Sequence, residues 1–178
     1  MMAPKTPTLY LMLGYPGSGK TTTARFIHEL TGAVHIWEDQ KRLEANPHPV
    51  FSQPENDQLH TLLNTQTGEL LGRGANVIYD TSFNRREDRR RMYDIADACG
   101  ATVKLIWLQT DRETARHRAT RDTASQPTRI LATVLGDMDQ ETFNRLSDKL
   151  ETPEDGEPYI AVDGTKVTRD YLREKLEL

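Results

Sequence analysis

The chain has 178 residues, a formal net charge of −4 and one cysteine, Cys99, a length that suits one domain with one sizeable core. One cysteine excludes an internal disulfide and a cysteine-based zinc site, and the acidic balance argues against a general nucleic-acid coat protein. The longest N-terminal apolar run, residues 9–13, is too short for a signal-peptide core or a membrane span, so a cytoplasmic protein without a membrane partner is expected.

Residues 1–8 are polar with two prolines and read as a loose leader. Leu9–Leu13 reads as a buried strand. It runs into Gly14-Tyr15-Pro16-Gly17-Ser18-Gly19-Lys20-Thr21, which fits G-x-x-x-x-G-K-[ST], the phosphate-binding P-loop. Glycines let backbone N–H groups surround a triphosphate, Lys20 reaches the β/γ-phosphates, and the Thr21 hydroxyl is placed to ligate a phosphate-bound Mg²⁺. A helix from Thr22 to Leu30 then presents its N-terminus to the phosphates. This predicts ATP and Mg²⁺ as cofactors, with Gly14 to Thr22 as the nucleotide-binding segment.

Ala33–Trp37 is a second apolar run of strand length, closing on Glu38 and Asp39, with Arg42 three residues on. Two prolines break the chain at 46–49, and a helix with Leu59, Leu62, Leu63, Leu70 and Leu71 is predicted from Asp57, stopping near Gly72 or Gly74. Val77-Ile78-Tyr79 is a short strand ending on Asp80. Asn84 with Glu87 forms a capping-box pair before a helix carrying Met92, Ile95, Ala96 and Cys99, which Gly100 ends. Thr102–Leu108 reads as a fourth strand buried on both faces. Thr110 with Glu113 forms a second capping-box pair, opening a helix with Arg112, Arg116, Arg118 and Arg121. Residues 122–127 are a polar break. Ile130, Leu131, Val134 and Leu135 predict one helix, and Phe143, Leu146 and Leu150 another. Tyr159–Val162 is a fifth strand, and Thr168 caps a last helix bearing Leu172 and Leu176. Alternating strands and helices predict an α/β fold with a mostly parallel sheet, forming a single domain over 1–178 with its core at about 9–164 and a C-terminal helix at 168–177.

In an open parallel sheet, ligands sit outside the carboxyl ends of the strands. The P-loop, Asp39 and Asp80 all fall there. Asp80 is placed to hold Mg²⁺ through water or to orient a lid arginine. Asp39 is a candidate for the base that takes a proton from an acceptor hydroxyl, with Glu38 as the alternative. The arginine helix is a candidate lid, since a fixed guanidinium stabilises a transferring phosphoryl group. A denser cluster, Arg85, Arg86, Arg89, Arg90 and Arg91, is either a contact for a polyanionic substrate or a solvated helix face.

These pieces resemble the P-loop kinases, specifically the kinase domain of phage-type 5′-polynucleotide kinases and the small bacterial predicted kinases related to them. The similarity runs from about Leu9 to Gly164 and is carried by Gly14–Thr22, Ile36–Asp39 with Arg42, Val77–Asn84 and the arginine helix ending near Arg121. It implies a five-stranded parallel sheet of order 2-3-1-4-5, flanked by helices, with an arginine-bearing lid. It implies Asp39 as general base, Arg42 in contact with a substrate phosphate, and Asp80 supporting the active site. Asn84 belongs to the same substrate-side stretch, and Arg116, Arg118 or Arg121 acts on the transferring phosphate. Asp122 stands where a second family arginine is expected, so the choice of lid arginine stays open. The implied activity is ATP- and Mg²⁺-dependent phosphoryl transfer to a hydroxyl, the first-choice acceptor being the 5′-hydroxyl end of a nucleic acid. A small-molecule hydroxyl (sugar, nucleoside or antibiotic) is the alternative, and a non-catalytic nucleotide-binding module a further one. No obligate protein partner is indicated.

Overall fold

A computed structural model describes residues 6–121 and 138–178, the side chain of Arg121 excepted. The helix predicted around Ile130–Leu135, the polar break at 122–127 and the first five residues of the leader lie outside the described residues. Five strands form one sheet: β1 (Thr8–Leu13), β2 (Val34–Trp37), β3 (Val77–Asp80), β4 (Thr102–Leu108) and β5 (Tyr159–Val162). Its order is β2-β3-β1-β4-β5 and every pairing is parallel, as expected. Seven helices are described: α1 (Lys20–Thr31), α2 (Glu38–Ala45), α3 (Gln53–Gly72), α4 (Arg86–Ala98), α5 (Arg112–Arg121), α6 (Gln140–Ser147) and α7 (Arg169–Leu176). Among the described residues no helix is long and apolar enough to cross a membrane.

The period-two geometry of β1 explains its continuous apolar run. Leu9, Leu11 and Leu13 point to one face of the sheet, with Leu59, Leu63 and Leu71 of α3 and Met92 and Ala96 of α4. Tyr10 and Met12 point to the other, with Ala24 and Ile27 of α1 and Leu172 and Leu176 of α7. The central strand is therefore buried on both sides, as parallel sheets covered by helices require. Ala115, Ala119 and Phe143 join α5 to α6 in a third, smaller cluster with Tyr15 of the P-loop packed against it.

Several helix starts differ from expectation. α3 begins four residues before Asp57, because the Ser52 side chain accepts from the Glu55 N–H and Pro54 fits the first turn, where no N–H is needed. Within it, Leu62 faces water rather than the core. α2 starts directly at Glu38, so Glu38 and Asp39 form a helix's first turn rather than the end of a strand. The two expected capping boxes are absent. α4 starts at Arg86 without a side-chain cap, and Asn84 instead accepts from the Gly14 N–H at 3.1 Å. In α5 it is Asp111 that accepts from the Thr114 N–H, while Thr110 donates to the Ser18 carbonyl at 2.9 Å. The P-loop has backbone groups to satisfy, and it takes both side chains. Thr168 caps α7 as expected, accepting from the Tyr171 N–H.

Candidate active site

The P-loop joins β1 to α1 at the carboxyl edge of the sheet. Gly14, Gly17 and Gly19 have φ of +151°, +77° and +104°, conformations that side chains disfavour. A Cβ on Gly17 would lie 2.3 Å from the Ala115 carbonyl oxygen, so this glycine also lets α5 lie directly on the loop. No side chain caps α1 and no acidic residue lies in its first turn, leaving its N-terminal N–H groups and dipole available to an anion. Tyr15, Pro16, Ser18 and Thr22 fall in this same loop and first turn. Lys20 folds back and donates to the carbonyls of Gly14 (3.0 Å) and Tyr15 (2.8 Å). Burial lowers its pKa to about 8 against the opposing pull of Asp80 and Asp39.

Asp80 closes β3 and is buried. One of its oxygens accepts from the Thr21 hydroxyl at 3.3 Å, and the other meets His35 Nε2 at 3.0 Å. A hydroxyl and a carboxylate side by side form a hard oxygen donor set of the kind that, with nucleotide phosphates, suits Mg²⁺. Among the described residues there is no group of three or more His, Cys, Asp or Glu that could hold a metal by itself.

The first turn of α2 separates the two candidate bases. Successive helix positions are about 100° apart. Glu38 turns toward α3 and is fully engaged, accepting from Arg42 at 2.6 Å, from Thr81, and meeting His60 at 3.3 Å. Burial alone would raise its pKa; the His60 and Thr81 hydrogen bonds and the Arg42 charge bring it down to about 2. Asp39 is the reverse. Among the described residues its carboxyl group has no hydrogen-bond partner, and burial with the neighbouring charges of Glu38 and Asp80 pushes its pKa up to about 7, Arg42 and Lys20 pulling the other way. Lys20 and Asp80 thus share an electrostatic neighbourhood with Asp39 and not with the locked Glu38.

The remaining candidates are placed as follows. Arg42 is 4% exposed, donates to Glu38 and to Asn56 Oδ1 (2.8 Å), and lies under the Phe51 ring. It is interior, not open to a substrate phosphate. Asn84 is likewise buried and directed at the P-loop. On α5, Arg118 donates to the Gly164 carbonyl at 3.1 Å, Arg116 pairs with Glu113, and Arg112 pairs with Asp148 at 2.7 Å. Arg121 ends α5, its side chain outside the described residues.

The dense arginine cluster is divided between the interior and a paired surface, with Arg85 exposed just before α4. Arg89 is fully buried, donating to Glu157 at 2.6 and 3.0 Å and to the carbonyls of Phe83, Asn84 and Glu151. Arg86 and Arg90 pair with Glu154, and Arg91 with Glu87 and Asp88. The acidic connection before β5 neutralises this face of α4.

Sequence reasoning passed over His35, His60 and Thr81, whose partners lie 22–45 residues away. Gly164, just after β5, was given no role there. A Cβ there would come within 2.1 Å of both the Ser18 carbonyl and Thr110 Oγ1, so only glycine lets this turn rest against the P-loop.

Residues 9–153 match the model of a family described as an AAA domain. Solved structures agree on the fold. A candidate kinase from Chloroflexus aurantiacus superposes with a TM-score of 0.74 at 16% identity, covering 97% of this chain and 98% of that one. Kti12 from Chaetomium thermophilum, in complex with ADP-AlF3, gives 0.72 at 17% identity, with 95% of each chain covered. A chain of the Pnkp1/Rnl/Hen1 RNA repair complex gives 0.66 at 19% identity over 82% of this chain and 44% of that one. At these identities the likeness is one of fold. The comparison with curated proteins yields no match.

Proposed function

The chain belongs to the AAA domain family, and from that premise we propose that it is an ATP- and Mg²⁺-dependent phosphotransferase that moves the γ-phosphoryl group to a hydroxyl, with the 5′-hydroxyl end of a nucleic acid as acceptor. The observation that carries the reading is the contrast within one helical turn. Glu38 is tied to three partners, whereas Asp39 is unbonded, raised toward neutrality and coupled electrostatically to the P-loop lysine. A buried carboxylate costs stability, and its retention beside a phosphate loop fits a group kept for chemistry.

In this reading the P-loop backbone and the N-terminus of α1 cradle the phosphates, and Lys20 leaves the two loop carbonyls to meet them. Thr21 and Asp80 would hold the metal, which would supply positive charge to the phosphates. Asp39 accepts a hydrogen bond from the acceptor hydroxyl, orients its oxygen at the γ-phosphorus and takes the proton late, because an alcohol is a far weaker acid than a carboxylic acid. Arg118, with Arg121 from the same helix, supplies positive charge to the transferring group. Arg42 and Asn84 act from behind, Arg42 by fixing Glu38 and the start of α2, Asn84 by holding Gly14.

A second reading, a small-molecule hydroxyl as acceptor, draws on the neutralised α4 arginines and the interior Arg42, which leave less positive charge for a polyanion than the sequence implied. Transfer of labelled γ-phosphate to 5′-OH oligonucleotides beside a panel of sugars and nucleosides decides between the two. Lys20→Ala is expected to abolish transfer with the protein still folded. ATP binding without transfer to any acceptor would leave only a nucleotide-binding module.

A further inference from the structure

The connection between α2 and α3 holds an aromatic ring in a conformation that the chain does not adopt freely. Phe51 has φ +54°, one of two non-glycine residues with positive φ among the described residues, the other being Glu177 at the end of α7. For a bulky side chain this conformation costs on the order of 1–3 kcal/mol and persists only when its surroundings impose it. They do so here. Glu55 Oε2 accepts from the N–H groups of both Val50 (3.0 Å) and Phe51 (2.5 Å), and Asn56 Nδ2 donates to the Phe51 carbonyl at 3.2 Å.

The result is a ring laid over a buried cation. The Arg42 guanidinium carbon lies 4.7 Å from the Phe51 ring centroid, yet Phe51 is 42% exposed and Val50 beside it 74%. One side of the ring is occupied and much of the rest faces water, which is poor use of a phenylalanine as core. The cation beneath the ring is also within electrostatic reach of Asp39, three residues before it on α2. Arg42 donates to Glu38, and Glu38 is the chain neighbour of Asp39.

We propose that Phe51 is a stacking platform for the nucleobase of the unit whose hydroxyl is phosphorylated. The proposal rests on the phosphotransferase reading and narrows its acceptor to a nucleoside unit, free or at the end of a nucleic acid. A base has a planar face that an exposed ring matches whatever the base identity. A bare sugar is read by hydrogen bonds to its hydroxyls, which the Val50 and Phe51 side chains do not offer. Arg42 beneath the ring fixes its orientation, so little rotamer freedom is lost when a base settles on it.

The test measures acceptor KM with ATP saturating for wild type, Phe51→Ala and Phe51→Trp. Four acceptors are compared: a 5′-OH oligonucleotide, the same oligonucleotide abasic at its first residue, a free nucleoside and a sugar. Phe51→Ala is expected to raise KM for the oligonucleotide about tenfold, the scale of one lost base stack, without moving KM for ATP. Phe51→Trp restores it. The abasic end imposes a similar loss on the wild-type protein, and Phe51→Ala adds nothing further there. This abasic arm needs no altered protein, so a folding defect in the variant does not obscure it. Comparable use of the free nucleoside assigns the base to a small molecule, and preference for the oligonucleotide assigns it to a chain end. Equal KM for intact and abasic ends with efficient transfer to both overturns the platform and leaves the phosphotransferase reading standing. Transfer to the sugar alone overturns the platform and the nucleic-acid acceptor together, and no transfer to any acceptor overturns both this proposal and the phosphotransferase reading.

Discussion

Asp39→Asn is expected to make the protein both inactive and more stable, and the gain in stability has a definite pH dependence. The folded-state pKa of Asp39 is about 7, raised by burial, Glu38 and Asp80, against a usual 3.8. A group raised in the folded state contributes its stability below the unfolded pKa, near 4, and loses it as pH rises through the folded value, near 7. About three pKa units at about 1.4 kcal/mol each set a ceiling of ~4 kcal/mol of destabilisation above pH 7. Asp39 keeps partial contact with water, so roughly 1–2 kcal/mol is the realistic figure. Asparagine carries no charge and escapes this loss. Urea denaturation of both proteins at pH 5 and pH 8 measures the effect, together with the smaller shifts that loss of the Asp39 charge imposes on Lys20 and its other neighbours. The variant's advantage is expected to be small at pH 5 and larger at pH 8 by about 1 kcal/mol, or about 2–4 °C in Tm for a chain of this size. An advantage that does not change with pH, or a variant less stable than wild type at pH 8, refutes the account of Asp39 as a carboxyl group held against its own ionisation.

The other predictions concern how the loop is held. Arg89→Ala strands Glu157 and three backbone carbonyls, and is expected to cost about 3–5 kcal/mol in urea unfolding, as removal of one partner from a buried pair does; a loss under about 1 kcal/mol shows that the buried Arg89–Glu157 pair does not hold these segments together. Gly164→Ala inserts a methyl group against Ser18 and Thr110, and is expected to weaken ATP binding about tenfold with little effect on global unfolding. Titration with a fluorescent nucleotide checks this, and an unchanged Kd shows that the turn yields without disturbing the loop.

The architecture was legible because its signals are local. β1, the glycine loop and α1 follow one another without interruption, and the continuous apolar strands spell a parallel sheet covered on both faces. The site was legible only in part. Asn84 and Thr110 are good helix caps by local rules, and both serve the P-loop instead, from 70 and 92 residues away. The residues alone left Glu38 open beside Asp39, and only the resemblance implied Asp39, because strand-end spelling carries no information on which side chain meets His60 and Thr81. The start of α2 at Glu38 rotates the two carboxyl groups apart. The arginine cluster was ambiguous for a related reason. A run of cations is visible in sequence, whereas Glu154 and Glu157, the acids that pair with Arg89 and Arg90, lie 60 or more residues on.

That neutralisation bears on the kind of recognition the site can perform. A protein that tracks a nucleic-acid backbone needs a line of unpaired cations, because its affinity comes from displaced counterions. Here Arg86, Arg89 and Arg90 hold the acidic connection, Arg112 holds α6 through Asp148, and Arg42 holds α2. These arginines tie distant segments together, whereas Arg85 and Arg145 lie near Lys149, whose pKa burial and these two charges hold down. The loop is gripped by Asn84, Thr110, the Gly164 turn and the Ala115 turn of α5, so its geometry is set before a nucleotide arrives. On the proposed reading, what faces the acceptor is compact: the Asp39 carboxyl group, α5 and the Phe51 ring. Such a surface suits reading a terminus, one hydroxyl and the group beside it, better than gripping a long polyanion. A nucleic-acid acceptor on this reading is engaged at its end, and the backbone beyond the first unit adds little to its affinity.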